Sequence, residues 1–301
     1  MSQSPVHLRP KAKRALNWDA KPPEKPRRVR RWAAGLGERL KAWRQRPALR
    51  QAALALALCL LGCCYAMMPP ESAATSVLAT KRILPVYSVE REDPVIAVTF
   101  DASWGADNTP KLLDILDEYD AKCTFFLVGL WVDKYPEMVQ AIAERGHEIG
   151  NHSDNHPHMT QLSDAKIREE LRMMSDKVEK LTSVRPTLFR PPYGDYNNLV
   201  IQTARDEGYE AVQWSVDSLD WKNISPEDMI RRAGDVQSGD IILFHNDSQY
   251  LLDALPTLLK SYQEKGLKMV KVSEILLEGE TTIDVQGKQH PTAVQDTSKE
   301  R

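Results

Sequence analysis

Two histidines at metal-ligand spacing are the most informative side chains in this sequence of 301 residues. His152 and His156 lie at positions i and i+4 in NHSDNH, directly after the short predicted strand Glu148–Gly150. Imidazoles at that spacing share one face of a turn or helix and can bind a single divalent ion. His147 and His158 make the same stretch rich in histidine, and we expect both to be structural.

Two other motifs supply charged or polar groups that have both a chemical and an ordinary explanation. Asp101 closes an apolar run, where it is either a site carboxylate or a cap for the following turn. Arg190 lies in FRPPYG, whose two prolines stiffen the backbone. A fixed arginine can hold a carboxylate, and the Tyr193 N–H can face a developing oxyanion, unless the motif is an ordinary structural turn.

The last two motifs also follow apolar runs. In DSLDW, Asp217 and Trp221 can orient an imidazole and wall a pocket, or they can form an acidic loop with a partly buried tryptophan. In LFHN, His245 stands two residues after Leu243 at the end of a predicted strand. A histidine there is either a general acid or a core histidine with satisfied hydrogen bonds.

The elements around these motifs predict an α/β fold. From Asp93 onward, apolar strand-like runs alternate with amphipathic helical runs, which indicates a parallel sheet with crossover helices. The number of alternations favours an incomplete or distorted β/α barrel over an open sheet. Because the chemistry of parallel barrels collects at the carboxyl ends of the strands, we expect the five motifs to meet there.

Together the five motifs resemble those of the polysaccharide deacetylases of the NodB-homology type, carbohydrate esterase family four. The motifs are TFD at 99–101, HSxxH at 152–156, RPPYG at 190–194, DSxDW at 217–221 and LFH at 243–245. The resemblance extends over roughly residues 93–277, and FDASWGAD looks most like the membrane-anchored sporulation-type members. It implies a distorted (β/α)7 barrel and the metal-dependent removal of acetyl groups from N-acetylated amino sugars.

The resemblance also implies a role for each matching residue. His152 and His156 would bind one divalent metal, usually zinc, with cobalt and manganese as alternatives. Asp101 would be the general base that activates water, and Arg190 would brace it.

The remaining roles carried over concern the leaving group and the acetyl pocket. His245 would protonate the leaving amine, and Asp217 would orient His245. The Tyr193 N–H would help to hold the oxyanion. Trp221 and Leu243 would wall the acetyl pocket.

One position departs from the family pattern. The first motif usually reads TFDD, and its second aspartate is the third metal ligand, whereas this sequence has Ala102. Either Asp101 shifts to the metal, or Asp107 or another nearby carboxylate reaches in, or the metal is held weakly and the protein is a poor or inactive deacetylase.

The charge distribution predicts a membrane protein with an exported domain. The formal net charge is −2, but residues 1–50 hold 15 Lys and Arg against 3 Asp and Glu. The uncharged run Ala52–Met68 would span about 26 Å as a helix. We therefore expect a basic cytoplasmic tail over 1–50, a transmembrane helix or signal anchor over 51–69, and a single-pass protein of the cell membrane with its catalytic domain extracytoplasmic.

Several alternatives to this membrane assignment stay open. The run could be a buried core helix, the hydrophobic part of a cleavable signal peptide, or a lipidation signal ending at Cys63. The basic tail suits anionic lipid headgroups better than nucleic acid, since it lacks a regular pattern of aromatic residues. Beyond the apolar run we expect a stalk over 70–92, the deacetylase domain over 93–278 and a disordered polar tail over 279–301.

Three functions fit this sequence. The first is an extracytoplasmic deacetylase of an N-acetylated glycan polymer, most readily cell-wall peptidoglycan. The second is a glycan-binding or scaffold protein whose site is degenerate at Ala102. The third is a metal-dependent amidohydrolase of a small molecule, which the fold would permit.

Overall fold

The computed structural model of the protein describes residues 46–67 and 82–292, which belong to two compact units, residues 1–79 and 80–301. In the first unit, helix α1 covers Pro47–Met67. Within the described ranges no helix is both long and apolar enough to cross a membrane, so the transmembrane helix predicted over 51–69 is not confirmed. Residues 1–45 of the predicted basic tail and residues 293–301 of the predicted polar tail lie outside the described residues.

The second unit contains a curled parallel sheet. The strands described in it are, in chain order, β1 Ser88–Val89, β2 Val95–Ala102, β3 Thr124–Leu127, β4 Glu148–Asn151, β5 Leu188–Phe189, β6 Glu210–Ala211, β7 Val216–Asp217, β8 Ile241–His245, β9 Lys268–Met269, β10 Thr281–Ile283 and β11 Lys288–Pro291. The order across the main sheet is β6-β5-β4-β3-β2-β8-β7, and β9 also pairs with β2. Every pairing within it is parallel, as the alternation of strands and helices predicted.

The helices of this unit follow strands of the parallel sheet along the chain. They are α2 Thr109–Glu118, α3 Gly129–Lys134, α4 Pro136–Glu144, α5 Asp164–Thr182, α6 Asn198–Asp206, α7 Pro226–Ala233, α8 Leu251–Glu264 and α9 Val272–Ile275. Single turns of 3-10 helix occur at Met159–Gln161, Pro192–Gly194 and Asp220–Lys222. The seven-strand path with crossover helices forms a partial barrel that is consistent with the expected (β/α)7 architecture.

Strand β2 is the centre of this architecture. All eight of its residues are buried, because β3 and β8 pair with its two sides and helices cover the sheet. A strand that is buried on both faces consists almost entirely of apolar residues, and this is why the sequence of β2 predicts a strand so clearly. Its two polar exceptions, Thr99 and Asp101, both find hydrogen-bond partners in the interior.

The segments at both ends of the predicted domain form strands, although the tail over 279–301 was predicted to be disordered. Part of the expected stalk forms β1, which pairs with β11, and part of the expected disordered tail forms β10 and β11. The polar composition of residues 279–292 predicted disorder, but backbone pairing and the buried side chain of Gln289 hold the hairpin. The Gln289 amide accepts from Leu277 N at 3.0 Å and donates to Thr281 Oγ1 at 3.3 Å.

The register of the sheet brings the five motifs to one edge. Asp101 lies directly opposite His245 across the β2–β8 pair. Asn151 lies opposite Phe189 across β4 and β5, so His152 and Arg190 leave their strands side by side. The prediction that the motifs meet at the carboxyl ends of the strands is confirmed.

His147 packs near the opposite end of the sheet and gives the fold a dependence on pH. Its Nδ1 accepts from Cys123 N at 3.3 Å, while its buried Nε2 has no partner among the described residues. Burial, together with the positive charges of Lys122 and Arg145, lowers the pKa of His147 to about 4. The imidazole is therefore neutral in the folded protein, in the structural role expected of it.

We expect the His147→Asn variant to be less sensitive to acid. A histidine with a pKa depressed from 6.5 to about 4 stabilises the fold above pH 6.5 and loses that contribution as the pH falls towards 4. Between pH 7.5 and pH 5.0 this amounts to roughly 2 kcal/mol of unfolding free energy. Urea unfolding at both pH values should show a smaller loss in the variant, and an unchanged loss would contradict this account.

Candidate active site

A buried ion pair anchors the site. Arg190 Nη1 donates to Asp101 Oδ1 at 2.8 Å and to Thr99 Oγ1 at 2.9 Å, and Nη2 donates to the carbonyl of Gln213 at 3.0 Å. Arg190 is fully buried and lies 4.0 Å above the ring of Phe126. Burial would raise the pKa of Asp101, but the charge of Arg190 and the neighbouring imidazoles hold it below its ordinary value. Asp101 is therefore an ionised carboxylate near neutral pH.

The two imidazoles predicted to bind a metal face each other. His152 Nε2 and His156 Nε2 are 3.2 Å apart. The Nδ1 atom of His152 donates to the carbonyl of Arg190 at 2.7 Å, which leaves Nε2 as the nitrogen with the free lone pair. Burial lowers the pKa of both side chains, that of His156 to about 4. Both rings are neutral near pH 7, which is the form that binds metal ions.

The hydrogen-bond partner of His245 corrects one carried-over role. Asp220, not Asp217, holds the ring: its Oδ1 is 2.8 Å from His245 Nδ1, and its Oδ2 accepts from the His245 backbone N–H at 2.7 Å. Asp217 instead accepts from Leu219 N at 2.8 Å. Burial would lower the pKa of His245, but the bond to the fully buried Asp220 carboxylate raises it above its ordinary value.

The loop between β7 and β8 explains why Asp220 replaces Asp217 at this position. Leu219 has a left-handed backbone with φ of 56°, and the single 3-10 turn Asp220–Lys222 follows it. This reversal brings the second aspartate of DSLDW against His245. The sequence signal for Asp220 was present in the motif, but the spacing alone did not say which carboxylate would turn inwards.

One cavity of about 700 Å³ connects these groups. The predicted site residues that line it are Asp101, His152, His156, Tyr193, Asp217, Trp221, Leu243 and His245, whereas Arg190 lies behind Asp101. Trp104 and Trp214 also line it and were not predicted as site residues.

The cavity has an aromatic rim. Trp104, Tyr193 and Trp221 are 74%, 59% and 55% exposed. Tyr193 has a left-handed backbone with φ of 60°, and its ring contacts His156 and stacks on His158. His158 therefore packs beside the site, where the Tyr193 ring contacts both it and His156.

A divalent metal fits the imidazole pair, with one protein ligand fewer than the family pattern. Two nitrogens bound to one zinc ion in tetrahedral geometry would lie roughly 3.3 Å apart, and the observed separation is 3.2 Å. Asp101 Oδ2 lies 3.4 Å from His152 Nε2 and is the carboxylate that contacts the pair. Among the described residues no group of three or more His, Cys, Asp or Glu side chains forms a complete metal cluster.

The position of the missing ligand is filled by an apolar side chain. Ala102 is fully buried at the end of β2, within the main hydrophobic cluster. Asp107, one of the carboxylates considered as a replacement, does not line the cavity. Asp247 does line it, but its carboxylate accepts hydrogen bonds from the backbone of Asp107 and Asn108. Neither residue takes the place of the absent aspartate.

Comparison with known proteins gives a consistent result. The family model described as polysaccharide deacetylase matches residues 88–212. A peptidoglycan-N-acetylglucosamine deacetylase of Bacillus cereus is 37% identical over 196 residues, which cover 63% of this chain and 92% of that protein. The uncharacterized protein YlxY of Bacillus subtilis is 33% identical over 193 residues, which cover 64% of this chain but 60% of that protein.

Solved structures add a second kind of relative. A CE4 family pseudoenzyme from Bacillus anthracis is similar with a TM-score of 0.62 and 32% identity, covering 64% of this chain and 69% of that chain. A mutant of the same pseudoenzyme, described as having restored enzymatic activity, matches with a TM-score of 0.62 and 33% identity, covering 64% of this chain and 71% of that chain. A peptidoglycan deacetylase and a protein described as a pseudoenzyme are thus both similar to this chain.

We expect Asp220→Asn to lower the pKa of His245. The Asp220 carboxylate favours the charged imidazole, so neutralising it removes stabilisation of that form alone. The pKa can be measured by NMR titration of the His245 ring in the protein without added metal. Asp217→Asn is the matched control, because Asp217 lies in the same loop but makes no hydrogen bond to the ring, and it should give the smaller shift. Equal shifts in the two variants would refute the assignment of Asp220.

Proposed function

Because this chain belongs to the polysaccharide deacetylase family, we propose that it is a metal-dependent N-deacetylase of an N-acetylated amino-sugar polymer, cell-wall peptidoglycan. The observation that carries the proposal is one cavity that unites an ionised carboxylate, two neutral imidazoles and a third imidazole with a raised pKa. Amide hydrolysis needs a proton acceptor for water, an electrophilic centre, which a metal held by the two imidazoles would supply, and a proton donor for the leaving amine.

Asp101 is the proton acceptor in this proposal. Its low pKa keeps it ionised, and Arg190 fixes Oδ1, so Oδ2 is the oxygen left to face the cavity. A carboxylate held in this way can take a proton from an attacking water without moving. The buried ion pair thus sets both the charge and the orientation of the base.

His245 is the proton donor. Its Nδ1 is held by Asp220, so Nε2 is the atom from which a proton passes to the leaving nitrogen. The Asp220 carboxylate raises the pKa of the ring and so favours its protonated form. Asp101 and His245 lie opposite each other in the β2–β8 register, on neighbouring strands that frame the scissile amide.

A divalent metal held by His152 and His156, zinc in our proposal, would supply a Lewis acid that polarises the acetamide carbonyl. The Tyr193 N–H belongs to a left-handed turn at the cavity and would donate to the developing oxyanion. Leu243 and Trp221 would contact the acetyl methyl group from the cavity wall.

The aromatic rim supports a polymer as the substrate. Exposed tryptophan and tyrosine rings offer apolar faces on which sugar rings can stack, and Trp104, Tyr193 and Trp221 lie at the mouth of the same cavity. A glycan of the cell wall lies outside the cytoplasmic membrane, so the proposal also places residues 93–278 there. The sugar acted on is either of the two N-acetylated sugars of peptidoglycan.

A second candidate function is glycan binding without turnover. Ala102 stands where the family has its third metal ligand, and one similar solved structure is a pseudoenzyme. Such a protein would keep the aromatic rim and the glycan affinity while holding metal too weakly for hydrolysis. The two candidates differ in metal affinity and in acetate release.

We expect the full-length protein to release acetate from N-acetylated glycan strands when zinc, cobalt or manganese is supplied. His152→Ala should abolish release because it removes half of the imidazole pair. His158→Ala is the matched control, since it removes a neighbouring imidazole that is not placed against the pair. Glycan binding without release under any of these metals would favour the second candidate, and His152→Ala with undiminished release would refute the proposed site.

We expect Ala102→Asp to strengthen metal binding by at least tenfold, since it returns a carboxylate to the position of the missing ligand. Acetate release at limiting metal should rise with it. Ala102→Asn, of nearly the same size but uncharged, is the control for crowding at this buried position. Metal affinity is measured by competition with a chelator. An Asp variant that is folded and binds metal no better than the Asn variant would contradict the assignment of position 102.

A further inference from the structure

The turn that joins His152 to His156 has an unfavourable backbone. Ser153 and His156 are both left-handed, with φ of 65° and 56°. Residues with a Cβ atom rarely adopt this conformation, and they keep it where the surroundings impose it. Since the two imidazoles lie at the ends of this turn, whatever imposes its shape also sets the distance between them.

Glu170 on α5 contacts the middle of the turn. Its Oε2 accepts from Asp154 N at 2.9 Å and from Asn155 N at 2.8 Å, and its Oε1 accepts from Asn155 Nδ2 at 2.9 Å. Both carboxylate oxygens are thus engaged by the two residues midway between the histidines. Hydrogen bonds to an ionised acceptor are stronger than those between neutral groups.

The start of the turn is held by the same helix through a different residue. Asn151 Nδ2 donates to the Leu171 carbonyl at 2.7 Å and to Ser175 Oγ at 2.9 Å, and Asn151 Oδ1 accepts from Ser153 N at 2.8 Å. The end of the turn is closed locally, because Ser153 Oγ accepts from His156 N at 2.9 Å.

Three further groups confine Asp154. Lys177, also on α5, pairs with its carboxylate, and Leu130 N donates to its carbonyl at 3.0 Å. The backbone of Gly129 passes so close that a Cβ there would stand 1.9 Å from Asp154 Oδ1. Asp154 cannot move outwards past these groups, so the Glu170 bonds act on a turn that is already confined from the other side.

We infer that Glu170 is a positioning residue for the metal-binding imidazoles: its carboxylate holds the 153–156 turn in the shape that brings the Nε2 atoms of His152 and His156 together. Glu170 does not line the cavity and therefore acts through the turn. The expected effect of Glu170 on zinc affinity rests on the proposed metal site. Its expected effect on the order of the 153–156 turn does not depend on any metal.

The structure offers a close control on the same helix. Glu169 is the preceding residue and also a glutamate, but it is exposed and pairs with Lys166, away from the turn. Glu170→Ala removes all three hydrogen bonds. Glu170→Gln keeps an oxygen that can accept the two backbone N–H groups but replaces the oxygen that accepts from Asn155 Nδ2.

The experiment compares the full-length wild-type protein with Glu170→Ala, Glu170→Gln and Glu169→Ala. Without metal, hydrogen exchange of a peptide covering residues 151–157 is followed by mass spectrometry. Zinc affinity is measured by competition with a chelator. The unfolding midpoint of each variant is measured as well. We expect Glu170→Ala to speed exchange in this peptide and to weaken zinc binding at least tenfold. Glu170→Gln should recover most of both effects, and Glu169→Ala should match the wild type.

Three results would overturn the inference. The first is that the 151–157 peptide of Glu170→Ala exchanges as slowly as that of the wild type. The second is that this peptide exchanges faster in Glu170→Ala while zinc affinity is unchanged. The third is that Glu169→Ala loses as much zinc affinity as Glu170→Ala. If the wild type binds no zinc, the proposed metal site fails and the exchange comparison alone decides the role of Glu170. If Glu170→Ala does not fold, the Glu170→Gln variant gives the comparison, with a smaller but measurable loss expected.

Discussion

The site depends on the buried ion pair between the Arg190 guanidinium and the Asp101 carboxylate. The Arg190 side chain fixes the Asp101 carboxylate, and its backbone carbonyl fixes the tautomer of His152. One residue therefore acts on both the charge of the Asp101 carboxylate and the tautomer of an imidazole that we propose binds a metal. Removing one partner of a buried ion pair typically costs about 3–5 kcal/mol, because the other charge is left without compensation. The two prolines that follow Arg190 limit how far its backbone can move.

Much of the site could be predicted because it lies at strand ends. Asp101, His152, Arg190 and His245 each follow an apolar run, and parallel strands must bring such positions to one edge. The alternation of strand and helix runs was also predictable, and every pairing in the main sheet is parallel as expected. These features depend on local periodicity, which a sequence displays directly.

The features that sequence did not predict depend on tertiary contacts. Asp217 and Asp220 are chemically alike and three residues apart, and the left-handed Leu219 decides which of them meets His245. The β10–β11 hairpin has a polar composition and is ordered by its pairing with β1. Helix α3 has six residues, and its first two N–H groups donate to the carbonyls of Ser153 and Asp154. The turn that joins His152 to His156 therefore defines where this helix begins.

The charges around the cavity bear on whether this chain catalyses or only binds. Stacking a sugar ring on the aromatic rim requires neither an ionised buried carboxylate nor a buried arginine. Burying Asp101 and Arg190 costs desolvation free energy, and stacking a sugar on the rim does not offset that cost. Likewise, the buried Asp220 raises the pKa of His245 and so favours the protonated imidazole, which is the form that can donate a proton. With Ala102 in place, Arg190 still contacts the Asp101 carboxylate and Asp220 still contacts the His245 ring. The contacts that orient the proposed base and the proposed acid are therefore present in the described structure, and metal affinity is the quantity that distinguishes the two candidate functions.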